Sequence, residues 1–220
     1  MVETMLWEDN KLILLDQTKL PQERIFITCN DYQRVKLAIK HLEVRGAPAI
    51  GAAAAFAMVL GAKSVADNPD FLHALSKIAD DLITARPTAV NLSWAVNFQY
   101  QQAVIFHQHD YAPYKIIAEL EKSAIKIYQE DIKRNKKMGE YGANILPDAA
   151  VVLTHCNAGA LATCGWGTAL GVIRSAYAQG KVKMVFADET RPLLQGARLT
   201  AYELVEDKIL SLIHISEPTR

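Results

Sequence analysis

From Asp148 onward the chain adopts a pattern that few architectures accept. Ala149-Ala150-Val151-Val152-Leu153-Thr154 is a short apolar run, as expected of a strand buried on both faces of a parallel sheet. A glycine-containing turn follows, then a helix over Leu161 to Gln179, the run Val182 to Phe186, a helix near Leu193 to Val205, and a last apolar run from Ile209 to Ile215. Strand-helix-strand-helix-strand is the pattern of a doubly wound sheet, because parallel strands need crossover connections. Such sheets bind ligands beyond the carboxyl ends of their strands. The chemistry is therefore sought where Thr154 and Phe186 give way to loops.

Upstream the periodicity differs. Leu6 to Ile27 alternates apolar and polar residues around Glu8-Asp9-Asn10 and again around Pro21, which predicts a small antiparallel meander. Helices come next. Asp31 is placed to cap one running through Leu42, Pro48 stands where a first helical residue should be, and Pro87 repeats that signal before a helix toward Gln108. Tyr114 to Ile145 carries Ile116, Ile117, Leu120, Ala124, Ile127, Tyr128 and Ile132 at helical spacing, giving one long amphipathic helix or two in series. The domain boundary is expected near Pro147, with residues 1–147 forming a β-meander and helical domain.

Half of the 220 residues are apolar and 22% are charged, the make-up of a globular chain with one large core or two smaller ones. Twenty-four basic residues balance twenty-four acidic ones, so no overall field favours nucleic acid or an anionic membrane. The N-terminal stretch Met1 to Asn10 holds Glu3, Glu8 and Asp9, unlike a secretory signal. Ala47 to Ala62, the most apolar stretch, falls short of the roughly 20 residues of a membrane span and reads as a buried helix. Cys29, Cys156 and Cys164 match neither a zinc site nor a disulfide framework, which implies a reducing, cytoplasmic setting.

Arg45-Gly46-Ala47-Pro48-Ala49-Ile50-Gly51 sets a guanidinium and a glycine ahead of a proline-marked helix start, where free N–H groups and the helix dipole attract anions. The alternative is a glycine-hinged helix start with Arg45 solvated. Arg86-Pro87-Thr88-Ala89-Val90-Asn91-Leu92 repeats the device, and two such arginines either converge on one phosphate or stay separate at the surface. Cys156 lies at the carboxyl end of the first parallel strand, ahead of Asn157-Ala158-Gly159 and a helix whose N-terminus would favour thiolate, although a small buried apolar role is equally open. Cys164, expected inside that helix, and Cys29 read as structural. His155 points to the opposite strand face from Cys156 and reads as packing. Gly165-Trp166-Gly167-Thr168-Ala169-Leu170-Gly171 has the wrong spacing for a dinucleotide fingerprint and is expected inside a helix, so no nicotinamide cofactor is expected. Asp188-Glu189-Thr190-Arg191-Pro192 reaches the same sheet edge as Cys156, with Gln195-Gly196-Ala197-Arg198 beyond it.

Together these blocks resemble one family. Arg45 to Gly51, Arg86 to Leu92, Thr154 to Thr163, Glu189 to Pro192 and Gln195 to Leu204 are similar to S-methyl-5-thioribose-1-phosphate isomerases, in the family's order, from about Met5 to Asp207. Related groups are regulatory subunits of a translation-initiation exchange factor, which typically lack the cysteine of Cys156-Asn157-Ala158-Gly159, and ribose-1,5-bisphosphate isomerases. The resemblance implies an aldose–ketose isomerase of methionine salvage that converts 5-methylthioribose 1-phosphate to 5-methylthioribulose 1-phosphate without metal or nucleotide, as a homodimer. Cys156 matches the family's catalytic cysteine. Arg45, Gly46, Ala47 and Arg86 match its substrate and phosphate contacts, and Gln195 matches a further one.

The family's downstream catalytic aspartate has no counterpart here. The resemblance therefore implies an α/β chain with an incomplete Rossmann-like parallel-sheet domain over 148–209. Residues 210–220 resemble translated adapter DNA and are expected to be a non-native tail, whose run Ile209 to Ile215 pairs as a third strand only by accident of composition. An unpaired sheet edge, an uncovered apolar face and no measurable turnover are expected of the chain as it stands.

Overall fold

The computed structural model describes residues 2–214, in two compact units. One unit holds Met5–Leu15 and Phe26–Glu130, and the other holds residues 2–4, Asp16–Ile25 and 131–214.

The first unit begins with the expected meander: β1 (Met5–Glu8), β2 (Lys11–Leu15) and β3 (Phe26–Cys29), antiparallel in that order. Asp9 and Asn10 make the β1–β2 turn with φ of 49° and 60°, the positive-φ pair that suits a tight hairpin. Asp31 caps α1 (Tyr32–Lys40) by accepting from the Arg34 N–H at 2.7 Å. The next helix, α2 (Ala47–Ser64), is buried all round from Ala49 to Ala62 and so lacks an amphipathic stripe. Among the described residues it is the one helix long and apolar enough to cross a membrane, but 78% of that stretch is buried, as in a core helix.

Around α2 stand α3 (Phe71–Ile83), α4 (Val90–Gln108) and the first half of α5 (Pro113–Ile145). The α3 helix was not anticipated, although Asp70 caps it and Phe71, Leu75, Ile78, Ala79 and Leu82 form its buried stripe. Pro87 does not open α4. It lies in a turn closed by the Ala89 N–H on the Arg86 carbonyl at 2.9 Å, and the helix starts three residues later. Trp7 stacks on Phe56 at 4.8 Å, and buried Gln99 donates to the Ala55 and Leu120 carbonyls, tying α4 to its neighbours.

The second unit is built on a parallel sheet of β4 (Ala150–Thr154), β5 (Val182–Asp188) and β6 (Ser211–His214), in that spatial order. Leu170 and Ile173 of α6 (Ala169–Ala178) and Leu204 of α7 (Ala201–Glu206) close a core with Val185, Ala187 and Ile209. These helices cover one face only. β4 is therefore not buried on both faces: Val151 and Leu153 are 54% and 64% exposed. The predicted third run pairs with β5 over Ser211–His214, and Ile215 lies outside the described residues.

The predicted helix from Leu161 begins only at Ala169. Ala160–Ala162 is a single 3-10 turn, and Gly165, Trp166 and Gly167 then take φ of 157°, 67° and 86°, which no right-handed helix accommodates. The Gly-Trp-Gly segment thus sits in the loop between β4 and α6, and Cys164 sits in that loop too. Toward the C-terminus, a π-helical turn at Gly196–Thr200 leads directly into α7. The early segments pack into this unit through Thr4 Oγ1 on the Ala160 carbonyl (2.5 Å), Gln17 Nε2 on the Leu161 carbonyl (2.7 Å), and Arg198 on the Thr18 and Leu20 carbonyls.

Candidate functional site

Within the parallel-sheet unit, the carboxyl ends of β4 and β5 carry Cys156 and the segment bearing Gln195. Cys156 leaves β4 with φ of 63°, a left-handed conformation that costs a β-carbon residue about 1–2 kcal/mol and persists where the surroundings impose it. Its N–H donates to Thr190 Oγ1 at 2.9 Å, and its carbonyl accepts from Thr200 Oγ1 at 2.6 Å. The side chain is half-buried. Because α6 starts at Ala169, no regular helix follows Cys156 directly, so the expected helix N-terminus beside the thiol is absent.

Beneath this loop lies a carboxylate that sequence reasoning passed over. Glu203, fully buried on α7, accepts from the Ala160 N–H (2.7 Å), the Leu161 N–H (3.3 Å), Asn157 Nδ2 (2.9 Å) and Arg174 Nη2 (2.7 Å). Arg174, itself 5% exposed, also binds Asp207 at 2.6 Å and the Trp166 carbonyl. A side chain at Gly159 would collide with the Glu203 carboxylate, so glycine is what lets the loop close over it. The only sequence signal was an acid and an arginine inside otherwise apolar helical stretches.

Gln195 is half-buried, and its Oε1 is a buried acceptor with no partner among the described residues. Gly196 beside it packs against the Asp188 carbonyl where any β-carbon would clash, which folds this segment back over the strand end. His155 turns to Asp188 (2.9 Å), and this hydrogen bond, with a second from His214, holds the Asp188 carboxyl below its usual range against the opposing effect of burial. Among the described residues no three His, Cys, Asp or Glu side chains converge to hold a metal.

In the helical unit, Gly46 is the N-cap of α2 with φ of 83°, and its carbonyl accepts from the Ile50 N–H at 2.9 Å. Half-buried Arg45 precedes it and Ala47 is exposed at the first turn. Arg86 is half-buried in the turn before α4. The two helix starts touch, since a β-carbon on Gly51 would lie 3.3 Å from the Asn91 carbonyl oxygen, so both arginines approach the same end of this helix pair.

The other two thiols are of a different kind. Burial pushes the Cys29 thiol up to about 11, and burial followed by Asp131 raises Cys164 well above its usual value. Iodoacetamide near pH 8 should therefore modify Cys156 and spare Cys29 and Cys164, read by peptide mass spectrometry. Comparable labelling of Cys164 would show that its loop opens. Because the folded state holds Cys29 neutral, its contribution to stability is complete below the unfolded thiol's value and is lost as pH rises from about 9 toward about 11. Cys29→Ala should flatten that alkaline fall in melting temperature.

Comparison with known proteins adds a lineage to this geometry. The chain is 52% identical over 94% of its length to methylthioribose-1-phosphate isomerase of Desulforamulus reducens, and 50% identical over 94% to that of Carboxydothermus hydrogenoformans. It spans about 60% of the length of these curated relatives. Two solved structures are also similar. The crystal structure of 5-methylthioribose 1-phosphate isomerase from Pyrococcus horikoshii superposes with a TM-score of 0.90 at 37% identity, over 98% of this chain and 60% of that one. The A. fulgidus structure titled translation initiation factor eIF-2B, subunit delta, gives 0.87 at 45% identity, over 98% of this chain and 62% of that one. Residues 43–216 match the model of the Initiation factor 2 subunit family, and the chain belongs to that family.

Proposed function

We propose that this chain carries the larger part of a methylthioribose-1-phosphate isomerase, a methionine-salvage enzyme that converts 5-methylthioribose 1-phosphate to 5-methylthioribulose 1-phosphate. The carrying observation is the half-identity to proteins of that name across 94% of the chain. Phosphorylation of the anomeric oxygen blocks spontaneous ring opening, so the enzyme must assist opening and then move hydrogen between C1 and C2. Both steps need acid/base groups on opposite sides of the ring. Cys156 is one of them. Its Sγ takes or returns a proton from the sheet edge, with Gln195 Oε1 as an unspent acceptor for a substrate hydroxyl. The phosphate is met by Arg45 and Arg86 and by the free N–H groups of Gly46 and Ala47 at the start of α2. No cofactor enters this scheme. The protein works as a homodimer in the cytoplasm, where thiols such as these three stay reduced.

The chain spans about 60% of the length of the D. reducens relative, so turnover is tested on a version extended with the remaining segment of that relative, where we place the opposing carboxylate. Conversion of 5-methylthioribose 1-phosphate followed by ³¹P NMR, with ribose 1,5-bisphosphate as a competitor, decides the matter. A folded extended version that leaves methylthioribose 1-phosphate untouched would overturn the reading. It would favour a second one, a non-catalytic regulatory subunit, which the 45% identity to the A. fulgidus protein supports. Preference for the bisphosphate would point instead to the sister isomerase.

A further inference from the structure

We infer that Thr190 and Thr200 are positioning residues for Cys156, a pair of hydroxyls that fixes the thiol at the sheet edge by gripping its peptide groups rather than its sulfur. The inference rests on the isomerase reading for its kinetic consequence, but its structural content stands apart from it.

Every hydrogen in the arrangement has a direction. Asn157 Nδ2 donates to Thr200 Oγ1 at 3.3 Å, and Thr200 Oγ1 donates to the Cys156 carbonyl at 2.6 Å. On the other side the Cys156 N–H donates to Thr190 Oγ1 at 2.9 Å, and that hydroxyl donates to the Asp188 carbonyl at 3.1 Å. The chain of donors thus runs from the β4 loop through Cys156 to the end of β5. Both threonines are nearly sealed from solvent, Thr200 at 0% and Thr190 at 7% exposure, so water does not compete for these bonds. Thr190 itself holds a φ of 59°, which leaves two left-handed residues facing each other across one hydrogen bond.

The two grips come from either side of Gln195. They therefore set Cys156 against the segment bearing the proposed substrate contact. A proton-transfer group must lie within about 3 Å of its target, and a displacement of about 1 Å costs on the order of 100-fold. Valine in place of threonine keeps the shape and removes the hydroxyl, releasing the peptide from its left-handed state.

The experiment uses the extended version with Thr200→Val, Thr200→Ser, Thr190→Val and Thr190→Ser. The valine variants should lose about 10- to 100-fold in kcat with KM unchanged within about twofold, because substrate binding is left intact. The serine variants should return to near wild-type kcat. A threonine needed only for packing would respond in the opposite way, with serine failing and valine tolerated. In parallel, the iodoacetamide rate at Cys156 should change in the valine variants while the protection of Cys164 does not. Wild-type kcat together with an unchanged Cys156 labelling rate in Thr200→Val overturns the inference. An inactive wild-type parent would instead overturn the isomerase reading, and the labelling rates would still decide the role of the threonines.

Discussion

Cys156→Ser in the extended version should lower turnover of 5-methylthioribose 1-phosphate by about 10²–10⁴-fold, the usual loss when one positioned acid/base group is removed. Serine keeps the size and the left-handed backbone, so Thr190 and Thr200 still hold the loop and product affinity should persist. What changes is proton affinity, since an alcohol ionises several units above a thiol. Calorimetric titration with product beside steady-state kinetics separates the two effects. Unchanged turnover would remove Cys156 from the mechanism, and lost binding would assign it to the pocket wall.

The second large effect concerns stability. Arg174→Met should destabilise the parallel-sheet unit by about 3–5 kcal/mol, because it leaves the Glu203 carboxylate buried without its cation. For a chain of this size that corresponds to a fall of roughly 6–20 °C in the melting transition. Glu203 would still accept from the Ala160 and Leu161 N–H groups, which do not neutralise it. Adding Glu203→Gln to Arg174→Met removes the more deeply buried of the two charges left behind, Asp207 being the other, and should recover part of the loss. Calorimetry of the single and double variants measures the coupling. A single-variant loss below about 1 kcal/mol would show that water reaches the pair.

These effects trace to contacts of unequal visibility in the sequence. The meander, the capped start of α1, the proline-marked start of α2 and the long stripe of α5 follow from neighbours within four residues, so local pattern sufficed for them. Helix α3 was equally legible from Asp70 and the spacing of Phe71, Leu75 and Ile78, and was simply passed over. The stretch after Gly159 failed for a different reason. Ala160, Leu161 and Ala162 favour a helix, but Gly165-Trp166-Gly167 requires positive φ three times running. Whether β4 is covered on both faces depends on what packs against it, which the strand's own residues do not state.

The placement of Cys156 and Gln195 at one sheet edge was legible, because both follow the carboxyl ends of the two runs that read as parallel strands. Glu203, Thr190 and Thr200 were not, since the partners that tie them to the β4 loop and to Arg174 lie 29 to 46 residues away along the chain.

One further consequence belongs to α2. At its many alanine and glycine positions this core helix has almost nothing to lose by truncation and almost no space to gain by enlargement. A β-carbon at Gly61 would already stand 2.7 Å from Ile78 Cγ2, and Gly51 meets the Asn91 carbonyl at 3.3 Å. The helix therefore acts as a size gauge for its neighbours, and sequence drift in this unit is channelled outward. Substitutions on α3 and α4 must be compensated on those helices themselves, because the axis they pack against offers no slack.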